Sequence, residues 1–113
     1  MATTTRLLDH TTLAEGDRIQ AADAPDLVDG ATLEIIVTVH EATEGEAPTL
    51  SLVHAAEKDD DAWMDFPSPV RVALSRTGRT WLHVPWYSRY IGWATTGTIT
   101  GAPIVTVDLI AKP

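Results

Sequence analysis

The stretch Ala31-Thr32-Leu33-Glu34-Ile35-Ile36-Val37-Thr38-Val39-His40-Glu41 alternates with a period of two. Leu33, Ile35, Val37 and Val39 fall on one side of an extended chain, and Thr32, Glu34, Thr38 and His40 fall on the other, with Ile36 the single exception. Successive side chains of a strand point to opposite faces, so this segment reads as a strand with one buried face and one wet face.

The same grammar continues on the C-terminal side. Glu41 to Pro48 carries turn residues, and Thr49 to His54 then sets Leu50 and Leu52 against Ser51 and Val53. The polar run Glu57-Lys58-Asp59-Asp60-Asp61 leads into a returning strand at Trp63 to Phe66. Beyond Pro67 and Pro69, Val70, Val72 and Leu74 alternate with Arg71, Ala73 and Ser75, and the turn Arg76-Thr77-Gly78-Arg79 feeds Thr80 to Pro85. Ser88 to Thr95 places Arg89, Ile91 and Trp93 opposite Tyr90, Gly92 and Ala94, and Ile104 to Ala111 closes the chain with Val105, Val107 and Leu109 against Thr106 and Asp108. About seven to eight short strands with turn signals every 8 to 12 residues predict an all-β fold, an antiparallel β-sandwich of jelly-roll or Ig-like type. The one helical candidate, Ala21 to Leu27, is interrupted by Pro25 and holds a single turn at most.

Residues 1–30 read differently from the sandwich domain at 31–113. Met1 to Gly16 is threonine-rich, and Leu7, Leu8, Leu13 and Ile19 are too scattered to make a core face alone. This predicts an extended N-terminal arm, with Thr3, Thr4, Thr5, Arg6, Leu7 and Leu8 as its contact residues. Such an arm either adds to a neighbour's sheet edge or covers an edge of its own domain.

At 113 residues, 44% hydrophobic, the chain makes one domain with one core. It has no cysteine, which excludes disulfides and thiolate metal sites. The net charge of −8 argues against nucleic acid as a partner, since phosphate binding needs a positive surface. No run of about 18 apolar residues suggests a membrane span, and the start of the sequence has no apolar signal core. The charge is polarised: Met1 to Phe66 holds fifteen acids against three bases, and Pro67 onward holds one acid against five bases. Opposite signs of this kind suit oriented docking in an array.

Catalytic and metal motifs are not found. His10, His40, His54 and His83 lack zincin spacing, although His40 and His54 could meet across a hairpin with Glu41 or Glu57 as a further ligand. Asp59 to Asp61 with Asp65 lacks the spacing and glycine of a calcium loop and reads as a solvated connection. No nucleophile elbow, phosphate-cradling loop or dinucleotide fingerprint is present, so the chain is expected to be no enzyme and to carry no cofactor. The aromatic residues crowd between Trp63 and Trp93. Trp81 and Trp93 are expected in the core, because aromatics supply the largest buried areas. Trp86 and Tyr87, after Pro85 and with Arg89 beside them, are expected to be exposed contacts for a protein partner or a sugar ring.

In their order, Pro48-Thr49-Leu50-Ser51-Leu52-Val53-His54, Ala62-Trp63, Phe66, Gly78, Val84-Pro85, Ser88-Arg89-Tyr90-Ile91-Gly92-Trp93 and the strand from Ile104 to Leu109 resemble small β-sandwich virion proteins of tailed bacteriophages. The resemblance spans about Thr32 to Lys112 and departs at Gly92, where those proteins carry arginine or a similar side chain. It implies a structural virion protein, made in the host cytoplasm and held on the capsid surface. Its role would be capsid decoration (cement), its partners the major capsid protein and sister copies in a homo-oligomer, with neither nucleic acid nor membrane bound. A head-tail joining or tail protein is the nearest alternative. A carbohydrate-binding module using the tryptophans, with a glycan as partner, is the alternative from another class.

Overall fold

The computed structural model describes residues 3–27, 32–44, 48–66, 70–84 and 87–112. Among them eight strands form two antiparallel sheets that share one apolar interior. The first sheet has the order β1 (Thr3–Thr12), β8 (Ile104–Lys112), β2 (Thr32–Glu41), β6 (Gly78–Val84). In the second, β3 (Thr49–Ala55) is central, with β7 (Tyr90–Thr96) along one side. On its other side β5 (Arg71–Ala73) pairs with the first half of β3, and β4 (Met64–Asp65) pairs with the second half. The antiparallel β-sandwich read from the alternation is thus the fold.

Alternation on β2 decides which face of the first sheet is buried. Leu33, Ile35, Val37 and Val39 lie opposite Ala111, Leu109, Val107 and Val105 of β8, and all but Ala111 are buried. They meet Leu50, Leu52, Val72, Ile91 and Trp93 of the second sheet in the shared core. β2 and β3 are consecutive but lie in different sheets, so His40 and His54 do not meet across a hairpin.

Residues 3–27 are part of the sandwich. β1 runs antiparallel to β8 from the Thr3–Ala111 pair to the Thr12–Ile104 pair, which makes it an edge of its own sheet. Leu13 and Ile19 then enter the core at 1% and 5% exposure. The scattered spacing of these residues concealed this, because each is buried by a different local geometry and not by one strand face. Beyond Leu13 the chain crosses to the second sheet. The Thr95 N–H donates to the Asp17 carbonyl (2.8 Å), the Ile19 N–H donates to the Trp93 carbonyl (3.0 Å), and Arg18 bridges to Ala94. One segment therefore lines an edge of each sheet. A single 3-10 turn follows at Ala21–Asp23.

β7 is buried on both faces: Tyr90, Ile91, Gly92 and Trp93 are all inaccessible. Gly92 is the reason the second face closes. A Cβ there would stand 2.5 Å from Ile19 Cγ2 and 3.0 Å from the Trp63 ring. The space that a side chain at position 92 would need is filled by Ile19 and Trp63. Gly92→Ala is expected to cost about 1–3 kcal/mol through overpacking, seen as a lower urea midpoint at unchanged slope.

His54 is 3% exposed, with its ring centroid 4.7 Å from that of Phe66 and Nδ1 2.9 Å from Ser88 Oγ. Burial holds its pKa below the ordinary 6.5, against a smaller upward effect from a backbone hydrogen bond at Asp65. The unfolded chain therefore binds this proton before the folded chain does. Stability is expected to be full above pH 6.5 and to fall as the pH drops below it. Urea titrations of wild type and His54→Gln across pH 7.5 to 5 (roughly one unit above the ordinary value and more than one below) check this, the variant giving the flatter profile.

Candidate functional site

The outer face of the first sheet is where polar, charged and aromatic side chains are brought together. Cross-strand neighbours share a face, so the register writes this surface as rows. One row reads Thr4, Ile110, Glu34, His83 across β1, β8, β2 and β6, and the next reads Arg6, Asp108, Ile36, Trp81. A third reads Thr106, Thr38, Arg79 across β8, β2 and β6.

Trp81 is the exposed centre of this face, with 58% of its surface accessible. The expectation of a core position fails for a reason visible in the register. Trp81 has the same parity as Arg79 and His83, so it points outward, while Leu82 and Val84 point inward. Its indole N–H donates to Glu34 Oε2. The other oxygen, Glu34 Oε1, lies 3.6 Å from His83 Nδ1 and 4.0 Å from Lys112 Nζ. One half-buried carboxylate thus fixes the indole and gathers two further polar side chains around it.

At the other end of the face lies a second cluster. Arg6 Nε donates to Asp108 Oδ1 at 2.8 Å, and Arg6 Nη1 lies 3.4 Å from Asp9 Oδ1. The hydrogen bond to Asp108 raises the Arg6 pKa above its ordinary value. Between Arg6 and Thr11 the β1 register shifts twice, and His10 takes the left-handed φ of 44°. The bulge turns the His10 ring onto His40, with centroids 3.9 Å apart and planes within 12°. Beneath the rings Thr106 is 5% exposed. Its Oγ1 accepts from the His10 N–H (3.0 Å) and lies 2.8 Å from His40 Nε2. His10 Nδ1 is hydrogen-bonded to Asp9 Oδ1 at 2.9 Å, and this bond is the main reason the Asp9 carboxyl stays below its ordinary 3.8. Parallel stacked imidazoles aim their lone pairs along parallel planes and do not converge on one ion. Among the described residues no group of three histidines or carboxylates is placed to hold a metal.

The remaining sequence candidates are dispersed. Thr3, Thr4 and Arg6 are exposed on β1, Thr5 is half-buried, and Leu7 and Leu8 pack against the core. Tyr87 is half-buried against the core, and the Arg89 guanidinium lies 5.3 Å from the Tyr90 ring centroid. Trp86 lies outside the described residues. Asp60 Oδ1 accepts from the Ala21 N–H at 2.7 Å, which ties the acidic loop to the 3-10 turn. At the β5–β6 end, Arg71, Arg76 and Arg79 line a cleft of about 320 Å³ whose described lining contains no carboxylate. The basic C-terminal part of the sequence thus has a spatial counterpart there. Glu34 and Trp81 as a pair, and the His10–His40 stack, were not singled out by sequence. The signal for Trp81 was present in the parity of Arg79, Trp81 and His83.

Glu34→Ala is expected to lower stability in urea titration by about 0.5–1.5 kcal/mol, the net worth of one side-chain hydrogen bond. It is also expected to release the indole, read as faster acrylamide quenching of the Trp81 fluorescence in a background with the other three tryptophans replaced by phenylalanine.

Compared with protein-family models, with curated proteins and with solved structures, the chain has no significant match in any of the three.

Proposed function

We propose that this chain is a structural, non-catalytic virion protein of a tailed phage, a capsid decoration (cement) protein that docks on the outer surface of the head through the outer face of its first sheet. The observation that carries the reading is that face: four strands presenting an exposed Trp81 that Glu34 holds in place, with the Arg6–Asp108 pair in the same row. Exposed, pre-oriented tryptophan beside arginine is the composition of a protein-contact hot spot. The order of strand signals from Thr32 to Lys112, resembling small phage virion β-sandwiches, supports the same reading. A cement role asks for a rigid body, an oriented surface and many weak sites acting together, which hold a shell by multiplicity more than by single-site affinity. The arginine cleft at the β5–β6 end supplies the orientation, since it favours an acidic neighbour on one side only.

The test is co-sedimentation with empty heads assembled from the major capsid protein of the same genome. Wild type is expected to pellet with the heads, and Trp81→Ala is expected to bind at least about tenfold more weakly, the loss of one hot-spot side chain. Failure of wild type to bind both the heads and the head-tail connector would overturn the virion reading.

One observation favours a second reading. An indole face exposed beside Glu34, His83 and Arg79 is also a stacking platform for a sugar ring. Under that reading a glycan array gives a signal with wild type that Trp81→Ala loses, and a silent array removes it.

A further inference from the structure

The two edges of the first sheet are built differently. The β1 edge is interrupted: its register with β8 shifts twice, His10 sits at positive φ, and Arg6 and Asp9 stand on it. Bulges and charges of this kind block edge-to-edge pairing. The β6 edge is less guarded: it has no register shift, its one positive φ is at its first residue, Gly78, and Arg79 is its one full charge. Gly78 to Val84 pairs with β2 residue by residue without a shift, contains no proline and no carboxylate, and is exposed along most of its length. Among the described residues no strand pairs with its other side.

We infer that β6 pairs antiparallel with β6 of a second copy, about a two-fold axis at Trp81, so that two first sheets join into one continuous eight-stranded sheet. Trp81 is the middle residue of β6, and an antiparallel pair centred on it sets Trp81 opposite its copy, Thr80 opposite Leu82 and Arg79 opposite His83. The occupant follows from charge. On the outer face His83 neighbours Glu34. The joined row therefore reads Glu34, His83 and then Arg79 of the second copy, which brings an arginine that has no carboxylate partner among the described residues within side-chain reach of Glu34. The two-fold repeats the contact, so a chain of net charge −8 meets itself at an acid-free strand flanked by two Glu34–Arg79 attractions. The same pairing stacks the two most exposed aromatic side chains of the described residues against each other. The geometry is independent of the virion reading and names the sister-copy surface such a protein would use; it is tested without heads, so one can fail while the other stands.

The chain has no cysteine, so an introduced one reports only its own encounters. Sedimentation equilibrium of wild type at up to several hundred micromolar (roughly the millimolar side of weak protein association) is expected to give twice the 12.2 kDa of one chain. Under mild oxidation Trp81→Cys is expected to form a disulfide-linked dimer. Arg79→Cys and His83→Cys are each expected to form no disulfide-linked dimer alone and to cross-link when mixed, since of these positions only the 79–83 pair comes within disulfide range. Trp81→Asp sets like charges across the axis and is expected to weaken the dimer about tenfold or more while its thermal unfolding stays within that of an ordinary surface substitution. A wild-type monomer over the whole range, or cross-linking of Arg79→Cys with itself, overturns the pairing.

Discussion

The ladder between β2 and β8 is the constraint on which the rest of the structure depends. Thr32 to Glu41 faces Ile104 to Lys112 in an antiparallel register that stays regular from Thr32 to Val39. Because the side-chain period is two, this single register places Leu33, Ile35, Val37 and Val39 inside with Val105, Val107 and Leu109. It also places Glu34, Ile36 and Thr38 outside with Ile110, Asp108 and Thr106. A slip of one residue would push Glu34 and Asp108 into the core, where an unpaired carboxylate costs several kcal/mol, about what removing a buried partner costs. The same register sets the outer rows, so the candidate docking face and the core are two sides of one choice. Glu34 can reach Trp81 only because β6 is in turn locked to β2 with Glu34 opposite His83.

Closure of the sandwich depends on the N-terminal segment more than its composition suggests. β1 completes the first sheet, Leu13 fills the interior, and Asp17 and Ile19 each make one backbone hydrogen bond to β7 in the second sheet. The backbone groups that an edge strand leaves open are strong donors and acceptors, and here one stretch satisfies those of β8 and part of those of β7. The cost is local: the chain must leave β1 to cross between sheets, and the bulge at Leu7 and the left-handed His10 come just before that crossing. The His10–His40 stack over Thr106 covers the distorted segment.

Much of this was legible in the sequence because the strands with the clearest alternation are those with one buried and one wet face. β2 and β8 follow from their own patterns to within a residue or two, and so does β3, although Leu50 to Ala55 are buried on both of its faces. What escaped were features decided by neighbours. Leu13 and Ile19 show no period, yet they are core because the chain turns at them. Gly92 reads as a weak point in a strand, and its role is visible only once Ile19 and Trp63 are found against it. Trp81 was expected inside on size alone, although its parity with Arg79 and His83 pointed outward. Side-chain volume says how much a residue gains by burial, whereas strand parity says whether burial is open to it, and on β6 parity decided.

That outcome moves the contact surface of the molecule. A free arm would attach by folding onto a neighbour and would bear the entropy of ordering at that moment. With Thr3 to Thr12 already paired to β8 and Leu13 in the core, that ordering has been met in folding, and detaching the segment would expose the β8 edge and open the interior. Under the proposed function, docking would fall to surfaces that are rigid before contact: the outer rows of the first sheet, with Trp81 held by Glu34, and the β6 edge beside them, which no other strand pairs among the described residues. Both lie on the side of the sheet away from β1. A partner at the edge and a partner on the face would thus share Trp81 and Arg79, and occupancy of one would alter the other. Copies joined through β6 would present a doubled outer face with the two tryptophans side by side on the axis, still turned outward toward a shell protein and flanked on each side by Arg6 with Asp108 and the ring stack of His10 and His40.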